Sequence, residues 1–140
     1  MEYEVELKFK VLDFPNAGYH NLVHLTNKND GGSGELSEVG TRFPAIFIST
    51  KKLYFETGIN GNGYAKQFDR GTSEDYLVNL SQRKYGDKYF YNITVNGNSL
   101  LEGVNLGPES VEKVRLYLSS APAPSTQQIL FHHAKIYQWA

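Results

Sequence analysis

A short stretch of this sequence carries the residue types that a sugar site needs. Asn60, Asn62 and Tyr64 stand together in Asn60-Gly61-Asn62-Gly63-Tyr64, and Arg42 lies at the head of the preceding hairpin. A saccharide is held by an aromatic face against its apolar side and by planar polar groups on its hydroxyls. Arg42, Asn60, Asn62 and Tyr64 supply both kinds. The plainer reading is that Asn-Gly-Asn-Gly only turns the chain, since glycine and asparagine tolerate left-handed backbone. Glycines alone would turn it equally well, so the asparagines and the tyrosine ask for a further reason.

Other chemistry finds less support. Calcium takes several oxygens, commonly from loops. Asp30 and Asp69 are the candidate carboxylates, with Asn27, Asn29, Asn60 and Asn62 as further oxygens, yet the acidic residues do not cluster. Turn chemistry accounts for Asp and Asn at such places equally well. Hydrolysis of a glycosidic bond requires two carboxyls across it. Glu4 and Glu6 share a strand face, but they alternate with core residues beside Lys8 and Lys10, which describes a solvated surface. No serine stands in a nucleophile-elbow motif. His132 and His133 are neighbours, so a strand sends them to opposite faces, where they cannot chelate together. His20 and His24 share a face only on a regular strand. With no cysteine in the chain, disulfides and thiolate metal sites are excluded.

The elements that must position these residues read as strands. Phe43 to Thr50 is almost wholly apolar, the pattern of a strand covered on both faces. Thr50-Lys51-Lys52 breaks the run. Leu53, Phe55, Thr57 and Ile59 then alternate with Tyr54, Glu56 and Gly58. This hairpin is expected at the centre of the fold, followed by a loop from Asn60 to Gly63. Ahead of it, Val5, Leu7, Phe9 and Val11 alternate with charged residues, and His20 to Thr26 forms a short strand. Asn27 to Val39 is polar and glycine-rich, hence a loop. Beyond Asp69, Tyr76, Val78 and Leu80 share one side of a strand, with a short helix as the competing reading. Tyr89, Tyr91, Ile93 and Val95 form one face of the next. Asn96-Gly97 favours a type I′ turn into a strand from Ser99 to Val104. One helical turn is an option near Glu109. Val114, Leu116 and Leu118 follow in alternation. Ile129 to Trp139 is the last strand, with Leu130, Ala134 and Ile136 inward.

About ten short strands without a long helix indicate a single all-β domain over residues 1–140, built as an antiparallel β-sandwich. The chain is large enough for a real core. Its formal charge is −1, with no basic half to attract nucleic acid. No apolar run approaches the roughly 20 residues of a membrane helix. The opening MEYEVELKFKV lacks a signal-peptide apolar core, so the chain is either cytosolic or relieved of a leader. The sequons Asn79-Leu80-Ser81 and Asn92-Ile93-Thr94 fit secretion, although the motif recurs by chance.

The order of motifs resembles a known family. His24-Leu25-Thr26 is followed by a glycine-rich loop, then by Gly-x-Arg-x-Pro-Ala-Ile-Phe at 40–47 and Leu53-Tyr54-Phe55. Ile59-Asn60-Gly61-Asn62, Leu80-Ser81-Gln82, Ile93-Thr94-Val95-Asn96-Gly97 and Val114-Arg115-Leu116-Tyr117-Leu118-Ser119 complete the pattern. It is similar to the laminin-G-like branch of the concanavalin A-like lectin superfamily, over nearly the whole chain. The resemblance implies a jelly roll of two antiparallel sheets. It also implies an extracellular setting and a rim or concave sheet that binds glycans, calcium or proteins. Glycosidases of the superfamily carry Glu-x-Asp-x-x-Glu on one strand, and this chain has no such triplet. Many laminin-G-like domains end on Trp-Tyr-Pro, where this chain reads Ala121-Pro122-Ala123-Pro124.

The expectation is therefore a non-catalytic extracellular recognition module. A glycan is the first ligand class, and adhesion to an extracellular protein or to a second copy is the alternative. No cofactor is required, with calcium left open. A circular dichroism spectrum should be β-dominated, with helix confined to a turn or two. Substantial helical signal would overturn the fold.

Overall fold

The computed structural model describes residues 2–13, 18–27, 44–59, 62–69, 71, 73–107, 115–118 and 129–139. Ten strands cover most of them: β1 (Glu2–Val11), β2 (His20–Thr26), β3 (Ala45–Ile48), β4 (Lys52–Ile59), β5 (Asn62–Asp69), β6 (Asp75–Tyr85), β7 (Lys88–Val95), β8 (Asn98–Asn105), β9 (Arg115–Leu118) and β10 (Ile129–Trp139). They form two five-stranded antiparallel sheets. Sheet I has the order β10-β1-β6-β7-β8, and sheet II the order β5-β4-β3-β2-β9. The molecule is an all-β antiparallel sandwich. Among the described residues no helix is long and apolar enough to cross a membrane.

The alternation of the sequence becomes the layering of the core. On sheet I, register stacks inward residues in transverse rows. Phe9 and Tyr76 make one row, Leu7, Val78 and Val95 the next, and Val5, Leu80, Ile93 and Leu101 the third. Leu53, Phe55 and Ile59 of β4 meet them from sheet II in the same buried cluster. Each such side chain contributes roughly 1.5–3 kcal/mol when removed from water. The β3–β4 hairpin lies within sheet II, with β3 as its middle strand, and Ser49 N donates to Lys52 O to close it. Ala45 stands on the outer side of β3, across from Glu56, yet is fully buried. The run is thus covered on the outer face at Ala45, while Phe47, the next outer residue, is only partly buried.

Two hairpin turns join the middle strands of sheet I. Tyr85 pairs with Lys88, and Gly86 has φ 65° at the first central position, the pattern of a type II′ turn. Val95 pairs with Asn98, and positive φ at both Asn96 (50°) and Gly97 (81°) marks type I′. Asn96 also latches this turn to β6. Its backbone N–H donates to Leu77 O, its Oδ1 accepts from Leu77 N, and its Nδ2 donates to Asp75 O. The residues around Tyr76 are strand, and the helical alternative there falls.

Three expectations need correction or lie out of reach. The segment after Ile59 is not all loop: Asn62 to Asp69 pairs residue by residue with β4. As an edge strand it needs few apolar residues, and Tyr64 and Phe68 are the two that reach the core. On β10, Leu130 was expected inward but pairs with Lys10 on the outer side and is 48% exposed. A bulge explains it. Lys8 pairs with His133 while Phe9 pairs with Phe131, so His132 is extra and the parity changes there. Ile129 and Phe131 are the inward residues before it. Ala134 and Ile136 do share a side with Leu7 and Val5, yet Ile136 is 50% exposed because β10 is an edge strand. The helical turn near Glu109 falls outside the described residues.

Gly97→Val should destabilise the protein by roughly 1–3 kcal/mol through backbone strain. A Cβ on Gly97 would meet nothing within 4 Å, so no clash adds to that figure. An unchanged urea midpoint would mean that the turn relaxes to another type at no cost.

Candidate functional site

The inner face of sheet I changes character in its last row. Tyr3, Gln82, Tyr91 and Gly103 follow one another across β1, β6, β7 and β8. Three polar side chains and a glycine thus occupy the position that apolar residues hold in the rows before. Gln82 is 2% exposed, and its Oε1 accepts from Asn105 Nδ2 at 2.7 Å. Tyr91 is equally buried, and its hydroxyl lies 3.1 Å from Thr57 Oγ1 of the opposite sheet. That hydrogen bond joins the two sheets within the core. Burial, then the neighbouring Tyr3, push the Tyr91 hydroxyl well above its ordinary pKa, and the Thr57 bond offsets part of this. Burial around its phenolic oxygen likewise raises Tyr3.

Gly103 opens this row to solvent. It faces Tyr91 from the edge strand β8, and a Cβ there would meet nothing within 4 Å. The missing side chain leaves a notch of about 50 Å³, lined by Ile59, Tyr64, Tyr91, Leu101, Glu102, Gly103 and Val104. Tyr64 comes from β5, where it pairs with Thr57 and is partly buried against the core. The notch therefore lies where the edge strands of the two sheets meet, walled by two tyrosines. A bulge on β8 makes it. Ile93 pairs with Leu101 but Thr94 pairs with Ser99, so Leu100 is extra. Were the pairing regular beyond Ser99, with Leu100 opposite Ile93, Glu102 and not Gly103 would face Tyr91. Glu102 instead pairs with Asn92 on the outer side.

The sequence-derived residues separate. Tyr64 lines the notch. Asn62 pairs with Ile59 at the start of β5. Arg42, Asn60 and the calcium candidate Asp30 lie outside the described residues. Asp69 ends β5, five residues past Tyr64 and on the opposite face, where its Oδ1 is 3.6 Å from Lys52 Nζ. It cannot join a site at Tyr64. Among the described residues, no group of three or more His, Cys, Asp or Glu is placed to hold a metal ion. Glu4 and Glu6 lie on the outer side of sheet I, away from the notch, as the alternation requires. They are ordered there: Glu4 accepts from Asn79 Nδ2 and Arg83 Nη2, each at 2.6 Å, and Glu6 lies 2.7 Å from His133 Nε2.

Sequence reasoning missed Gly103, Gln82 and the Thr57–Tyr91 pair. One signal was available. Gln82 continues the inward series of Tyr76, Val78 and Leu80, and a polar residue at an inward position marks a change in the core. Gly103 gave no such signal, because its facing depends on the bulge at Leu100.

Comparison with solved structures finds a likeness to the Botulinum Neurotoxin Type G Receptor Binding Domain, with a TM-score of 0.57 at 10% sequence identity. The alignment covers 97% of this chain and 34% of that one, so the chain spans about a third of the length of the protein it matches. At this identity the likeness is one of fold. No protein-family model matches the chain, and no curated protein matches it.

The buried tyrosines tie stability to alkaline pH. In the unfolded chain a tyrosine titrates near 10, whereas Tyr3 and Tyr91 hold their protons above it when folded. Because the folded pKa is the raised one, the contribution is complete below pH 10 and is lost as pH climbs past it. Urea midpoints should hold up to about pH 10 and decline above it. Tyr91→Phe should flatten that decline and cost about 1 kcal/mol at neutral pH through the lost Thr57 bond. A midpoint indifferent to pH across this window would show that water reaches the hydroxyls.

Proposed function

We propose that this chain is a non-catalytic recognition module of extracellular, laminin-G-like type, and that its ligand is a carbohydrate. The observation that carries the reading is the notch itself: Tyr64 and Tyr91 supply aromatic surface, and Gly103 supplies space. At about 50 Å³ it is far smaller than the roughly 300–1,000 Å³ that encloses a whole small ligand. It suits one substituent of a sugar, such as a hydroxymethyl or acetamido group, with the ring lying across Tyr64. Asn60, Asn62 and Arg42 are the polar residues proposed to complete the rim. The likeness to a receptor-binding domain agrees with a binding role and carries no ligand with it.

A second reading is self-association, and one observation favours it. Edge strand β10 exposes Leu130, Ile136 and Tyr137. Against it, the bulge at His132 and the charge of Lys135 interrupt the edge, as protected edges commonly are.

A glycan array probed with and without chelator separates these readings and decides calcium dependence at the same time. Tyr64→Ala should weaken binding by about 1–3 kcal/mol. Tyr64 is half-buried, so that variant will also lower the melting temperature. Gly103→Leu removes the ambiguity: it fills the notch and deletes no packing. Binding should vanish while stability holds or rises. Undiminished glycan binding by folded Gly103→Leu would place the site elsewhere, and concentration-dependent sedimentation without any array signal would favour self-association.

A further inference from the structure

A second aromatic group stands on the outer side of sheet II, on the opposite face from the notch. Register places Asn21, Phe47, Tyr54 and Gln67 in one row across β2, β3, β4 and β5. Tyr19, in the segment that leads into β2, leans on that row. Its ring meets the Tyr54 ring edge to face, with centroids 4.6 Å apart and planes at 88°. Their hydroxyls are 2.9 Å apart. Tyr19 is nevertheless 62% exposed, so it adds little to the core. An exposed tyrosine in a connecting segment usually samples several rotamers. Two contacts hold this one, so its ordering entropy is spent before any ligand arrives.

Polar groups surround the pair on the same face. Lys52 Nζ donates to Gln67 Oε1 at 2.8 Å and lies 3.6 Å from Asp69 Oδ1. With its oxygen occupied, Gln67 has its amide nitrogen left to donate. Asp69 presents a carboxylate that is 81% exposed, close enough to Tyr54 to help raise its hydroxyl pKa after the larger effects of the Tyr19 bond and burial. A rigid exposed ring beside an amide donor, a carboxylate acceptor and an ammonium is the set that a pyranose requires. Its C–H face takes the ring, and its vicinal hydroxyls take the planar polar groups.

We propose that Tyr19, seated on Tyr54 and flanked by Gln67 and Asp69, is a second saccharide-binding platform, separate from the notch at Tyr64. It does not depend on the notch. If both operate, the chain holds two sugars on opposite faces of sheet II and gains avidity for a polymer without any new contact.

Affinity electrophoresis in native gels cast with xyloglucan, galactomannan, dextran or mixed-linkage β-glucan tests it. At least one polymer should retard the protein. Tyr19→Ala should weaken that retardation about tenfold in apparent Kd, while Tyr19→Trp, which keeps a stacking surface, should retain it. Tyr19 lies outside the core, so the circular dichroism and melting temperature of Tyr19→Ala should match those of the parent. Retardation that survives Tyr19→Ala and is lost in Gly103→Leu overturns the platform and leaves the notch standing. The converse pattern supports the platform and removes the notch. No retardation by any of the four polymers, or retardation untouched by either variant, also overturns the platform.

Discussion

Everything in this sandwich depends on the parity of its strands. A strand sends successive side chains to opposite faces, so one residue of slip would turn a whole core row out to solvent. β1 and β4 keep strict alternation, with burial at every second position. Other strands spend a residue to change parity. β2 is irregular at Leu22, β8 at Leu100 and β10 at His132. These irregularities are features of the design, since each decides which side chain faces which space. The one on β8 sets a glycine over Tyr91 where a regular strand would have set Glu102, so it replaces a charge by a vacancy.

The polar row that results has its own cost. Buried hydroxyl and amide groups lose water, and they are tolerated when protein groups replace it. Tyr91 finds Thr57, and Gln82 finds Asn105. The Tyr91–Thr57 bond crosses between the sheets, so the row is complete only when both are assembled. The core is thus apolar where it needs density and hydrogen-bonded where it approaches the open end. A site that must meet a polar ligand is best built at such a transition, since its groups are already held in place.

Much of the fold was legible because period-2 patterning and turn residues are local. β2 and β10 begin and end where the sequence placed them, and Asn96-Gly97 makes the turn its dipeptide favours. β5 escaped because an edge strand beside a glycine-asparagine run shows only Tyr64 and Phe68 as apolar marks. Leu130 was misplaced because a bulge leaves no trace in a hydrophobic pattern. The candidate site was legible to a smaller degree. Tyr64 drew notice as a surplus aromatic, but its neighbours Tyr91 and Gly103 come to it through sheet pairing and sheet packing, which no local pattern encodes. Tyr19 and Tyr54 are 35 residues apart, and their contact is likewise tertiary.

The pairing of β1 with β10 bears on how the domain carries force. Glu2 lies opposite Trp139, so the two ends of the described chain leave the molecule side by side. Any neighbouring segments must depart from adjacent points, which makes the unit easy to seat within a loop of a larger protein. It also fixes the response to tension. Strands pulled from opposite ends shear, and all their hydrogen bonds resist together. Strands pulled from the same end part like a zip, one pair at a time. Traction on both ends of this domain would load the Glu2–Trp139 end first and peel β10 away from β1. The domain is mechanically soft along the line joining its ends.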